Sequence, residues 1–236
     1  FWKKDKNLNM SKILTIDTSS KNASISYSDN GKLVDKKIWI SKNNHSIELS
    51  ENVIKLFSKN NLNINKLDYI SVALGPGGFT AIRVGISFAM GLSKFSNIKI
   101  LGLPTFEIEF EKNNIYKKNN LTALLPAGFN SFCWKSINNI SNKDVDGIFI
   151  SSEMKSLFKE GSYFCGEETK ELEKTYPEYN FFEESGRDPE LMIGLTYKII
   201  NEKKQEKYYD LVPIYSRLPN ITKKKESKWA KNQHLF

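Results

Sequence analysis

Leu67-Asp68-Tyr69-Ile70-Ser71-Val72-Ala73-Leu74 runs into Gly75-Pro76-Gly77-Gly78 and then into Phe79-Thr80-Ala81-Ile82-Arg83-Val84-Gly85. The first segment is a short apolar run bounded by turn residues and predicts a strand. From Phe79 to Phe95 the apolar residues recur at helical spacing, so the glycines join a strand to a helix. Such a junction can hold an anion on its backbone N–H groups. This one lacks the lysine-hydroxyl ending of a Walker loop and the G-x-G-x-x-G spacing, and Pro76 removes one donor. A tight turn with close helix packing accounts for the glycines at least as well.

Outward from this junction the pattern stays α/β. Upstream, Lys12 to Thr18 reads as a strand, Ala23 to Tyr27 alternates, and Asn30-Gly31 turns a hairpin into Lys32 to Ile40. A helix follows from Asn44 to Lys59, and beyond the second helix Lys99 to Leu103 is a buried strand before Pro104. The order βββαβα implies a mixed sheet in residues 10–104. Residues 105–220 open with a charged helical stretch and continue with strands at Leu121 to Leu125, Phe132 to Ile137, Gly147 to Ile150 and Ser162 to Cys165. A late helix spans Pro189 to Lys204, Leu211 to Arg217 is extended, and no solenoid repeat is present.

The two helices of the first half are more apolar than a one-sided surface helix needs. In Asn44 to Lys59, the residues Ile47, Leu49, Val53, Ile54, Leu56 and Phe57 cover roughly 180°, against the ~100° stripe of an ordinary amphipathic helix. In Phe79 to Phe95, only Arg83, Ser87, Lys94 and a few small residues interrupt an arc of roughly 240°. Such helices are covered on most sides, by their own core plus a second layer or another protein. Ala81, Gly85, Ala89 and Gly91 let a neighbour approach closely.

With 236 residues, 39% of them apolar and 12% aromatic, the chain has enough for one large core or two lobes and is too apolar for a disordered chain. No apolar run approaches the ~18 residues of a membrane-spanning helix. The net charge of +8 is localised: residues 1–12 carry +3 and residues 221–236 carry +4, leaving +1 for the body. Only Arg83, Arg187 and Arg217 are arginines, which argues against a surface selected for bidentate phosphate contacts. Most of the tail's charge sits in the lysine patch Lys223 to Lys231, and composition alone does not make that patch an RNA-binding surface. Residues 1–9 read as an upstream extension before a start at Met10, and Cys133 and Cys165 as core thiols in a reducing compartment.

Chemistry-bearing residues are sparse. Asp17-Thr18-Ser19 sits at a hairpin tip, where in sugar kinases and actins an acid and hydroxyls face nucleotide phosphate and its metal; a self-bonded polar turn is the plainer reading. His45 and His234 are far apart and no HExxH pair exists, so a metallopeptidase or a Ser-His-Asp hydrolase has no support and no metal ligands are assigned.

The block Gly75-Pro76-Gly77-Gly78-Phe79-Thr80-Ala81-Ile82-Arg83-Val84-Gly85 closely resembles the GPGSFTGLRIG signature of the bacterial TsaB (YeaZ) proteins. Ile13 to Ser19 resembles their opening strand, His45-Ser46 their HSE-type helix, and Pro213-Ile214-Tyr215-Ser216-Arg217 their closing PxYxR, in the same order. Two departures are Gly78 for the usual Ser and Ala81 for the usual Gly. The family's DARRGEVY segment stands here as Ala127 to Trp134, without its acid or arginines.

The resemblance implies a two-lobed actin-like (ASKHA, ribonuclease H-like) fold of mixed sheets flanked by helices. It also implies a cytoplasmic, non-catalytic subunit of the complex that installs threonylcarbamoyl on the adenosine beside the tRNA anticodon. The expected partners are a TsaD-like catalytic subunit, a TsaE-like ATPase, tRNA indirectly, and a second copy of the chain. ATP and metal are expected on those subunits and none on this one. The family's two helices form a four-helix bundle with the partner, which places the interface at His45, Leu49, Val53, Phe57, Ile82, Ile86, Ala89 and Met90. The signature residues Gly75, Pro76, Gly77, Gly78, Phe79, Thr80 and Arg83 keep the loop in shape, and Asp17, Thr18 and Ser19 remain as a vestigial phosphate loop. The competing reading is an ATP-binding or ATP-hydrolysing enzyme of the same fold.

Overall fold

The structure, a computed structural model, describes residues 11–42, 44–112, 121–128, 130–137, 144–182 and 187–217. The expectations for the upstream extension (1–9) and for the lysine-rich tail (221–236) lie outside the described residues.

Two five-stranded sheets form the frame. The first contains β1 (Lys12–Asp17), β2 (Asn22–Asp29), β3 (Lys32–Ile40), β4 (Tyr69–Gly75) and β5 (Lys99–Pro104), in the order β3-β2-β1-β4-β5. The second contains β6 (Leu121–Gly128), β7 (Ser131–Ile137), β8 (Asp144–Ile150), β9 (Tyr163–Gly166) and β10 (Asn180–Phe181), in the order β10-β9-β6-β7-β8. In each sheet an antiparallel meander of three strands is extended by two parallel strands on the far side of its first strand. The second sheet therefore repeats the first, β6 standing for β1 and β9 for β4. This is the two-lobed, actin-like arrangement of mixed sheets flanked by helices.

Helices cover both faces of the first sheet. On one face, α1 (His45–Lys59) and α2 (Phe79–Ser96) touch each other and bury Leu49, Val53, Leu56, Ile82, Ile86 and Ala89 against Leu14, Ile16, Ile25, Ile70 and Val72. On the other, α6 (Pro189–Asn201) packs Met192, Leu195 and Ile199 against Ile13, Ala73, Leu101 and Leu103. Its start is well specified: Pro189 occupies the first turn and the Asp188 carboxylate accepts from the Glu190 N–H at 2.9 Å. Between the sheets lies α3 (Thr105–Lys112), with Ile108 in the core of the first and Phe106 and Phe110 against Leu121, Leu125 and Cys133 of the second.

Two boundaries differ from the sequence reading. A second lobe of 105–220 is not one sequence block, because α6 returns to the first sheet and Ile214 N–H donates to the Leu74 carbonyl at 2.8 Å. The apolar stripe of α6 has no free face left on the second sheet, whose other side is covered by α4 (Met154–Leu157) and α5 (Lys170–Thr175) through Met154, Leu172 and Tyr176. The late helix also ends at Asn201, ahead of Lys204.

Candidate functional site

Three segments far apart in sequence meet at the end of β4. Gly75 has φ +100°, and a Cβ there would stand 2.3 Å from the Ile214 carbonyl oxygen, so glycine is required where the closing segment docks. A Cβ on Gly77 would stand 2.1 Å from the Ser19 carbonyl oxygen, which accepts the Gly78 N–H at 2.7 Å. Gly85 lies against Thr18, whose hydroxyl donates to the Ala81 carbonyl at 2.7 Å. The signature loop thus grips the hairpin tip Asp17-Thr18-Ser19. On its outer side, the Phe79 ring stacks on Tyr215 at 4.5 Å, and Arg83 Nε donates to the Tyr215 hydroxyl at 2.7 Å while its guanidinium covers Phe79. Opening strand, glycine block and closing PxYxR, matched separately in the sequence, form one junction.

The hairpin tip itself is occupied by protein. Asp17 Oδ1 accepts from both the N–H and the hydroxyl of Ser19, at 2.9 and 2.6 Å, and Oδ2 accepts from Arg187 Nε at 2.8 Å. Arg187 Nη2 donates to the Ser19 hydroxyl at 2.7 Å. Glu167, just past β9, lies 2.9 Å from Arg187 Nη1 and accepts from the Ser20 hydroxyl at 3.2 Å; Glu109 of α3 stands 3.9 Å from the same nitrogen. Arg187, Asp17, Glu109 and Glu167 are all buried. Burial pushes the Asp17 carboxyl up, but the Arg187 charge and the hydrogen bonds from Arg187 and Ser19 outweigh it and hold the group below its ordinary value. For Glu167 burial wins, with Asp17 adding to it against the pull of Arg187, and its carboxyl is raised. Sequence reading missed Arg187 as a site residue; its only signal was being one of three arginines in a lysine-rich chain.

These contacts decide whether the tip fits a nucleotide phosphate with its metal. Both Asp17 oxygens, the Ser19 N–H and hydroxyl and the Thr18 hydroxyl are engaged within the chain, so the residues present do not fit such a group. Among the described residues no three His, Cys, Asp or Glu side chains are arranged to hold a metal ion, and no helix is long and apolar enough to cross a membrane.

The structure buries most of the residues expected at a partner interface. Leu49, Val53, Ile82, Ile86 and Ala89 are buried in the chain's own core, and Phe57 and His45 are half-buried. The wide apolar arcs are consumed largely by the sheet and by the contact between α1 and α2. Of the eight residues, only Met90 is exposed, at 52%. The outward apolar residues are Ile47, Ile54 and Phe95, at 58%, 64% and 92%. Ile47 and Ile54 lie two turns apart, opposite the Leu49–Val53–Leu56 stripe, and that opposition was the available signal. Beside Met90, Gly91 has nothing within 4 Å of an added Cβ.

His45 opens α1, with burial lowering its pKa against the opposing charge of Glu48. Glu48 accepts from the Lys42 N–H at 2.8 Å and from the Trp39 indole at 3.2 Å, tying the start of α1 to β3.

Residues 39–149 match the family model described as TsaD, tRNA N6-adenosine threonylcarbamoyltransferase. The chain is 30% identical over 128 residues to a protein of Buchnera aphidicola subsp. Schizaphis graminum, covering 52% of this chain and 58% of that one. It is 22% identical over 151 residues to a protein of Escherichia coli K12, covering 63% and 62%. Both carry the name tRNA threonylcarbamoyladenosine biosynthesis protein TsaB, and the chain spans little more than half the length of these curated relatives. Among solved structures, YeaZ from Pseudomonas aeruginosa superposes with a TM-score of 0.66 at 15% identity, over 87% of this chain and all of that one. Sequence similarity over about half the chain is to proteins named TsaB, and over most of its length the chain has the fold of YeaZ.

Proposed function

We propose that the chain is a cytoplasmic, non-catalytic subunit in the formation of threonylcarbamoyladenosine on tRNA, one that binds and activates a TsaD-like catalytic subunit through the outer faces of α1 and α2. The observation that carries this is the exposure of Ile47, Ile54, Met90 and Phe95 on helices whose inner faces are already satisfied. Apolar side chains gathered on a packed helix pair gain about 25 cal/mol per Å² when another helix pair covers them. The internal engagement of Asp17 and Ser19 supports a role without chemistry in this chain. A TsaE-like ATPase and tRNA join through the assembly, which supplies the ATP and metal, and the same helix faces serve a homodimer when the partner is absent.

The test is co-purification with a TsaD-type protein, comparing wild type with Ile54→Asp. The substitution lies on an exposed position, so the fold is retained and association is expected to be lost. Undiminished association places the interface elsewhere. Calorimetry of the isolated chain with Mg-ATP addresses the enzyme reading: micromolar binding abolished by Asp17→Ala favours an ATP-using protein over a scaffold.

A further inference from the structure

Arg187 enters the space between the sheets from the segment leading into α6, and three carboxylates from three elements surround it. Asp17 closes β1 of the first sheet, Glu167 follows β9 of the second, and Glu109 lies in α3 between them. Buried carboxylates gathered in this way repel one another, and a cation that shares the site relieves that repulsion. A guanidinium suits the task, because its five donors are fixed in a plane and stay charged when buried. Burial works against that charge here, yet Asp17, Glu167 and Glu109 hold Arg187 protonated above its ordinary value. The cleft is built anionic, and the chain itself supplies the cation.

We propose that Arg187 is a built-in ligand of the inter-lobe cleft: its guanidinium holds the two lobes closed without nucleotide or metal and, through Ser19, fixes the glycine loop and the start of α2. The path to the helix is short. Arg187 bonds the Ser19 hydroxyl, the Ser19 carbonyl accepts the Gly78 N–H, Gly77 lies against Ser19, and α2 begins at Phe79. The hydrogen bond from Ser20 to Glu167 adds a direct tie between the lobes. Arg187 thus acts as a positioning residue for the helix that presents Met90 and Phe95. This deepens the partner-binding reading and rests on it only for the purpose the held helix serves.

The test uses the isolated full chain and needs no partner, so its outcome is separate from that of the association experiment. Glu167→Gln keeps the Asp17–Arg187 pair and weakens the hold on the second lobe. Ser19→Ala keeps the Ser19 backbone and removes the hydroxyl through which Arg187 reaches the loop. Amide hydrogen exchange is expected to quicken about tenfold or more at residues 17–20 and 163–169 in the first variant. In the second it is expected to do so at residues 76–82, as loss of a charge-assisted hydrogen bond implies. Small-angle scattering is expected to show a larger radius of gyration for Glu167→Gln. Arg187→Ala is expected to show both exchange effects, reversed by millimolar guanidinium, which does not alter the wild type. Should Arg187→Ala fail to fold, the two milder variants decide. Exchange at 76–82 that stays at the wild-type rate in Ser19→Ala, or unchanged exchange and dimensions in Glu167→Gln, overturns the proposal.

Discussion

Tyr215 stacks on Phe79, ring centroids 4.5 Å apart and planes inclined by 30°, and its hydroxyl accepts from Arg83 Nε at 2.7 Å. One ring therefore fastens the end of the described chain to the first turn of α2. Its two contacts separate by substitution. Tyr215→Phe keeps the stack and loses a half-exposed hydrogen bond, an expected cost of about 0.5 kcal/mol. Tyr215→Ala also loses the ring pair, worth about 0.5–1.5 kcal/mol beyond its buried area. Urea denaturation reads the two costs, and limited proteolysis is expected to cut Tyr215→Ala, but not Tyr215→Phe, between residues 209 and 217. Equal resistance of both variants rejects the fastening role.

Asp17 makes acid stability a report on the cleft. Its carboxyl is held below the ordinary 3.8, so its contribution is fully present above that value and is lost as pH falls through the lower value of the folded state. Glu167, raised above 4.5, acts in the opposite sense: its neutral form is favoured, and stability is given up as rising pH ionises it. Asp17→Asn removes the carboxylate that titrates in this way and leaves Arg187 short of a partner. The variant is expected to be less stable at pH 7 by about 3 kcal/mol, the size expected on breaking a buried ion pair. Its stability is also expected to fall less steeply than that of the wild type on acidification below pH 4. Parallel pH profiles for the two proteins contradict this account of Asp17.

Much of the fold was legible because local signals and burial agreed. The Asn30-Gly31 turn, the strand into Gly75 and the helix from Phe79 lie where turn chemistry and periodicity predict them. What escaped was relational. The second sheet repeats the first, but between β8 and β9 only short helices stand where α1 does in the first lobe, so hydropathy shows no repeat. The destination of α6 depends on which sheet face is vacant, and an apolar stripe does not name its sheet. Most of the expected interface residues are buried in the chain's own core for a similar reason: arc width tells how much of a helix is apolar, not which part its own sheet consumes. Arg187 bonds a residue 170 positions away, beyond any local pattern.

Neighbouring glycines in the loop are expected to respond unequally. A Cβ on Gly77 meets the Ser19 carbonyl oxygen at 2.1 Å, so Gly77→Ala must displace backbone, at about 1–3 kcal/mol or more. A Cβ on Gly78 meets nothing nearer than the Ala81 Cβ at 3.4 Å, and Gly78 caps α2 without a side-chain bond. Gly78→Ser, which restores the residue usual in the family signature, is expected to change stability by no more than a few tenths of a kcal/mol. Thermal denaturation of the pair checks this, and a strong loss from Gly78→Ser counts against the loop geometry.

Gly91 offers the cleanest separation of interface from fold. It lies on the exposed side of α2 beside Met90, with open space where a side chain would go, so Gly91→Ala removes a helix-interior glycine at no steric cost. That change is expected to stabilise the chain by about 0.5–1 kcal/mol. Gly91→Arg keeps most of that gain, yet places a long charged side chain where a partner helix must come close. Ala89→Arg, by contrast, forces a charge into a fully buried position and is expected to unfold the first lobe. The informative pattern is a Gly91→Arg protein with a wild-type or higher melting temperature that no longer co-purifies with a TsaD-type subunit, while Gly91→Ala still does. If Gly91→Arg associates as well as wild type, the outer face of α2 is not where the partner sits, and exposed Ile47 and Ile54 on α1 have to carry the contact alone.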